Sequence, residues 1–294
     1  MTKQKVGIVG VGLMGHGIAL NIARKGWPLG YLDHPGNQPT DDLDALGATR
    51  HADRASLAGA SEVIVLCVTG TPQVEDVLLG DGGLLASLKP GTVVIDCSTA
   101  IPASTAAVAA AVTRAGGRFL DAPMTRTPKE AAEGRLNLLV GAEPALFAAV
   151  QPLLSAFAEN IFHAGPEAGA GHTLKLLHNF VSLGSVALIA EAAAAAGRAG
   201  IAPEILVDVL RKGGGHGAAL DRLSPYLLSG DSSPMRFSIA NARKDLSYYV
   251  AMAEGLGAER AVAEGVFSDL DRLVAAGHGG DHLPLLVKHF AAEG

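Results

Sequence analysis

Residues 6–26 read VGIVGVGLMGHGIALNIARKG. A short β-branched run, VGIV, leads into Gly10-Val11-Gly12-Leu13-Met14-Gly15, and an amphipathic stretch from Ile18 to Lys25 follows. GxGxxG is weak alone. Set between a strand pattern and a helix pattern, it describes a turn in which each glycine has a task. Gly10 permits the tight turn, Gly12 lets backbone approach a pyrophosphate, and Gly15 lets helix pack on strand. The helix N-terminus then offers free N–H groups to phosphate oxygens. The segment therefore opens a dinucleotide-binding, Rossmann-type fold.

The next expectation is an acidic residue about 20 positions on, at the end of the second strand. Asp33 ends LGYLD in that place. Its carboxylate would hydrogen-bond a ribose diol and repel a 2′-phosphate. No arginine follows directly, only His34 and Pro35. NAD (NADH) is favoured over NADP, with His34 leaving room for the latter.

Further along, apolar runs at 29–33, 63–68, 92–97, 118–122, 136–140 and 160–164 alternate with stretches that include crossover-helix lengths. Nearly all-apolar strands in that alternation predict a doubly wound parallel sheet covered on both faces. After GPEAGAG (165–171) the strand signals stop, and helices are expected at 172–198, 203–212, 216–229, 238–256 and 259–276. The expected division is a dinucleotide domain, 1–165, and an all-α substrate and oligomerisation domain, 166–294, built on a long interdomain helix. RKGGGHGAAL (211–220) reads as a loop, either over a cleft entrance or as a plain connector.

Composition narrows the partners. Charged residues make up 18% of the 294, against about 25% in an average globular chain, which suggests a surface covered by a second subunit. A net charge of −6 without a basic cluster argues against nucleic acid. Cys67 and Cys97 lie in apolar runs and read as buried free thiols in a reducing compartment. The N-terminus enters a strand pattern directly, and no signal peptide is expected. The apolar stretch 181–197 is interrupted by Glu191 and falls short of a membrane span. A soluble, cytoplasmic protein is expected. His278 and His282 have only Asp281 nearby in sequence, and no metal site is expected.

In GHTLKLLHNFVSLGSVALIAEAAAAAG, the polar residues His172, Lys175, Asn179 and Ser182 recur at spacings of 3, 4 and 3. That places them on one helix face, as a polar patch facing a cleft. A partly buried lysine there can serve as a proton donor. Reduction of a carbonyl needs a proton at oxygen as hydride reaches carbon. Lys175 would supply it, with Asn179 one turn on holding substrate or lysine.

Together these segments resemble the β-hydroxyacid dehydrogenase family, whose members include 3-hydroxyisobutyrate dehydrogenase and tartronate semialdehyde reductase. GVGLMG looks like its cofactor motif, DAPMTRTPKEAAEGRLNLLVG like its substrate segment, and GAGHTLKLLHNF like its catalytic helix. NARKDL matches the segment whose lysine, here Lys244, reaches the cofactor. The resemblance implies that Lys175 is the essential lysine, that Thr99 lies near the nicotinamide, and that the CVTGTPQV loop (Val68, Thr69, Val74) touches the dinucleotide. It also implies an all-α C-terminal domain that associates into dimers or tetramers.

The family's usual Ser-Gly-Gly is replaced by Thr125-Arg126-Thr127. That is similar to the sulfolactaldehyde reductase branch, where an Arg-Thr pair stands in place of the glycines. HNFVS, with His178, Asn179 and Ser182, is similar to that branch's substrate run. Arg126 is expected to clamp the anionic end of a small aldehyde or hydroxy acid, with Thr125 and Thr127 as added donors. The leaning is to 3-sulfolactaldehyde. The alternatives are a 3-hydroxyisobutyrate- or tartronate-semialdehyde-type carboxylate dehydrogenase, an imine reductase, or a non-catalytic dinucleotide-binding scaffold. Relatives of the last two kinds lack the lysine.

Overall fold

The computed structural model describes residues 3–292. By contact density the chain divides into two compact units, Met1–Lys175 and Leu176–Gly294.

The first unit begins with β1 (Val6–Val9), α1 (Gly15–Arg24), β2 (Leu29–Leu32), α2 (Asp41–Ala45), β3 (Thr49–His51) and α3 (Arg54–Ala60). It continues with β4 (Val63–Leu66), α4 (Thr71–Leu79), β5 (Val93–Asp96), α5 (Pro102–Arg114), β6 (Arg118–Asp121) and β7 (Met124–Thr125). α6 (Pro128–Ala132), β8 (Leu136–Gly141), α7 (Pro144–Leu154) and β9 (Ala158–Gly165) complete the sheet region. Its strands run in the order β3-β2-β1-β4-β5-β6-β8-β7, with β9 also paired to β8.

From β3 through β6 every pairing is parallel. All four residues of β1, β2, β4 and β5 are buried, as expected of strands covered on both faces. β1 pairs with both β2 and β4, so the winding reverses there. The Gly10–Gly15 turn leaves β1 at that reversal, where open α/β sheets bind their ligands. β3 and β7 were not legible in the sequence. TRH lacks apolar alternation and lies on an exposed edge, and β7 has only two residues.

α8 (Ala170–Arg198) begins in the first unit and runs through the division. α9 (Pro203–Lys212), α10 (Ala218–Ser229), α11 (Ile239–Gly255), α12 (Ala261–Ala275) and α13 (Leu286–Ala292) follow. The second unit has its own core. Leu176, Leu183, Val186 and Ala190 of α8 are buried with Leu246 of α11, Leu270 and Leu273 of α12, and Leu286 of α13. Phe180 stacks on Tyr249 with ring centroids 4.4 Å apart.

One expectation needs correction. Read as a full helix, α8 is long enough to cross a membrane, with a mean hydropathy of 1.7 over its most apolar window. The residues that give it this character include the ones that build the core of the second unit.

Candidate active site

The glycine turn of the first unit is built by backbone proximity. A Cβ on Gly10 would sit 2.2 Å from the Cys67 carbonyl oxygen, and one on Gly15 would sit 1.8 Å from the Gly10 oxygen. Both positions therefore require glycine. At Gly12 nothing lies within 4 Å of such a Cβ, which leaves open space at the position expected to approach a pyrophosphate.

Leu13 is exposed and Val11 fully buried. The Val11 N–H donates to Asn37 Oδ1 (3.3 Å), and Asn37 Nδ2 donates to the Leu32 oxygen (2.9 Å). Asn37 thus pins the turn to the end of β2, a role with no motif to announce it.

Asp33 follows β2 and is exposed, as the ribose reading requires. The structure adds a neighbour the sequence did not suggest: Arg50 Nη1 stands 3.8 Å from Asp33 Oδ2. Arg50 is held on β3 by bonds to the Tyr31 hydroxyl (3.0 Å) and Thr40 Oγ1 (3.2 Å). Strand pairing brings it there, 17 positions further along the chain.

Beneath these groups lies a network centred on His172, which is fully buried together with Asp96 and Asp121. His172 Nε2 donates to the Ser98 carbonyl oxygen (3.2 Å), and its Nδ1 meets Thr105 Oγ1 at 2.8 Å. Asp121 accepts the Gly169 and His172 N–H groups, each at 2.7 Å, so a carboxylate caps the start of α8 where the helix dipole favours it. Burial raises the Asp121 carboxyl above its usual range, and His172 opposes that rise.

Ser98 Oγ accepts the Val68 N–H (3.0 Å), while the Ser98 N–H donates to Asp96 Oδ1 (2.9 Å). Val68, the Ser98–Thr99 turn and the first turn of α8 are therefore tied together, one turn before half-buried Lys175. His172 is not part of a cleft-facing stripe, as the spacing suggested. Its ring turns inward because two buried carboxylates and a carbonyl offer partners there. Val74 likewise has its side chain in the apolar core. Cys97 is buried, but Cys67, just past β4, is only half-buried; its thiol is pushed up to about 12, first by burial and then by Asp96.

The segment after β7 departs most from expectation. Arg126 has φ 84°, the one positive value outside glycine among the described residues, so the chain keeps a glycine-like conformation where the family has glycine. Its Nη1 is hydrogen-bonded to Glu159 and to the Arg135 carbonyl. This arm of the guanidinium, expected to clamp a substrate anion, is committed here to a carboxylate of the protein itself. Thr127 is engaged too. It is the N-cap of α6, and its hydroxyl and N–H both meet Glu130 in a capping box.

Thr125 is buried. Its Oγ1 accepts from Asn137 Nδ2 (3.0 Å), and Asn137 Oδ1 accepts from Asn160 Nδ2 (2.9 Å). With its oxygen engaged as an acceptor, the Thr125 hydroxyl keeps its proton to donate.

In the second unit, Asn179 Nδ2 donates to Asp245 Oδ2 (2.7 Å), and Lys244 Nζ lies 3.1 Å from Asp245 Oδ1. Asp245 is 3% exposed and joins the two residues that the sequence offered separately. It stands in NARKDL beside the expected lysine, so the signal was present without a partner to explain it. His178 is exposed with Nδ1 3.0 Å from Asn179 Oδ1, and Ser182 is half-buried one turn on.

Two family models match almost end to end: the NAD-binding domain of 6-phosphogluconate dehydrogenase over residues 5–165, and the NAD-binding domain of NADP-dependent 3-hydroxyisobutyrate dehydrogenase over 169–289. The chain belongs to the 3-hydroxyisobutyrate dehydrogenase-like β-hydroxyacid dehydrogenases. Among this family's members, 2-(hydroxymethyl)glutarate dehydrogenase of Eubacterium barkeri is 32% identical over 77% of the chain and 75% of its own length. For 2-hydroxy-3-oxopropionate reductase of Escherichia coli the identity is 32% over 86% and 85%. The crystal structure of 3-hydroxyisobutyrate dehydrogenase from Salmonella typhimurium superposes with a TM-score of 0.85, at 29% identity, covering 98% of this chain and all of that one.

The protein is thus an NAD-binding oxidoreductase of the CH–OH class, with a parallel-sheet dinucleotide domain and a helical C-terminal domain. The open space at Gly12 and the exposed carboxylate of Asp33 fit the cofactor.

Proposed function

We propose that this β-hydroxyacid dehydrogenase interconverts a small acid semialdehyde and its hydroxy acid using NAD(H), with a carboxylate as the anionic end. The observation that carries this reading is the anchored first turn of α8. Asp121 caps it and His172 fastens it to the Ser98–Thr99 turn, so Lys175 is presented from a fixed helix. NAD(H), when bound, supplies or accepts the hydride. Lys175 Nζ donates a proton to the carbonyl oxygen during reduction and takes it back during oxidation. Asn179, oriented by Asp245, positions the substrate one turn further on, and Lys244 approaches the cofactor. Thr125 donates its hydroxyl proton to the substrate anion.

A sulfonate has three oxygens to satisfy. Two of the donors expected for it are otherwise engaged, since Arg126 is compensated by Glu159 and Thr127 is spent on the cap. That shifts the proposal from 3-sulfolactaldehyde to the carboxylates. NADH oxidation measured across succinic, tartronic and methylmalonic semialdehydes and 3-sulfolactaldehyde tests it. Turnover with one or more carboxylates is expected; turnover with the sulfonate alone would overturn the carboxylate reading, and none with any would favour a scaffold. Arg126→Ala should change KM by less than about threefold, the scale of an exposed ion pair. A rise of about tenfold or more would reinstate a direct clamp.

A further inference from the structure

Helix α13 folds back onto the loop 277–282, and three side chains meet there. His278 Nδ1 lies 3.4 Å from Asp281 Oδ2, and His289 Nε2 lies 2.9 Å from the same oxygen. One potential ligand atom from each residue falls within 4.8 Å of the other two. The imidazole rings of His278 and His289 stand close and tilted, with centroids 4.2 Å apart and 39° between their planes. Ligands about 2.0–2.1 Å from a tetrahedral ion stand about 3.3 Å from one another. The spacings at Asp281 therefore already approximate two edges of such a tetrahedron.

We propose that His278, Asp281 and His289 form a zinc(II) site, with two imidazole nitrogens and one carboxylate oxygen as ligands and water in the fourth position. The donor set selects the ion. Imidazole nitrogen suits zinc and its borderline neighbours, whereas magnesium and calcium prefer an all-oxygen shell. All three residues are half-buried, so the fourth position is open to water. Sequence spacing did not announce the site because His289 reaches it only through the return of α13.

The site has a structural consequence. The same loop supplies the backbone carbonyl of Asp281 to the Ile239 N–H and that of Gly279 to the Ala240 N–H, both at 2.9 Å. An ion bound there braces the first turn of α11, the helix that carries Lys244 and Asp245.

The test uses the full-length chain, free of any affinity tag and stripped with a chelator, titrated calorimetrically with zinc chloride. One equivalent is expected to bind in the micromolar range or tighter, raising Tm, and excess magnesium should not displace it. His278→Ala and His289→Ala should each weaken binding at least about tenfold, while His216→Ala, a surface histidine elsewhere, leaves it unchanged. Cobalt(II) provides a reading that needs no variant: wild-type protein should give the intense visible bands of four-coordinate cobalt. Absence of stoichiometric zinc, weak six-coordinate cobalt bands, displacement by magnesium, or binding that survives the double His278→Ala/His289→Ala variant would each overturn the site.

Discussion

Lys175→Ala should lower kcat by about two to four orders of magnitude, the usual worth of a positioned acid–base group, while NADH affinity measured by fluorescence titration stays unchanged. Turnover close to wild type would remove the lysine from the chemistry. Arg126 offers a second test at this scale. A non-glycine residue in the left-handed region costs on the order of 1 kcal/mol or more, and an exposed ion pair returns about 1 kcal/mol at most. Arg126→Gly should therefore be more stable to urea than Arg126→Ala by about 1 kcal/mol. The reverse order would show that the φ of 84° is not strained.

At the scale of elements, caps and anchors do what propensity cannot. α6 has five residues, too short to persist alone, and is held by the Thr127–Glu130 box. Hydrogen bonds from Thr127 are the largest cause holding the Glu130 carboxyl below its usual value. Its stabilising contribution is therefore present above the ordinary carboxylate range and is lost as pH falls through the lowered value. Glu130→Gln keeps an acceptor but removes the titration. The difference in Tm between wild type and variant should shrink as pH falls through that window, by the equivalent of roughly 0.5 kcal/mol after solvent screening. A pH-independent difference would show that the cap does not titrate. Asp121 works in the opposite sense: its raised carboxyl makes stability fall as pH rises from the ordinary carboxylate range to its own higher value.

For the whole molecule, Val181 and Leu188 on α8, Ile205 and Val209 on α9, and Val262 on α12 leave large apolar side chains exposed on the second unit. With only 18% charged residues in the chain, we propose that a second copy covers part of this surface. Light scattering should give at least a dimer, and Val181→Asp with Leu188→Asp should shift it toward the monomer with the lysine chemistry retained. A wild-type monomer at micromolar concentration would dismiss the interface.

The sequence by itself determined what local physics can fix. Gly10, Gly12 and Gly15 set the turn, the apolar runs set the buried strands, and spacings of 4 and 3 set a common helix face for Lys175, Asn179 and Ser182. Only the tertiary structure decided which partners those residues meet. Strand pairing set Arg50 beside Asp33, helix packing set Asp245 between Asn179 and Lys244, the start of α8 drew His172 onto Asp121, and α13 carried His289 to His278. Arg126 shows the reason most plainly. A guanidinium binds whichever carboxylate the fold brings within reach, and Glu159 lies 33 positions away in the chain, beyond what any local pattern encodes.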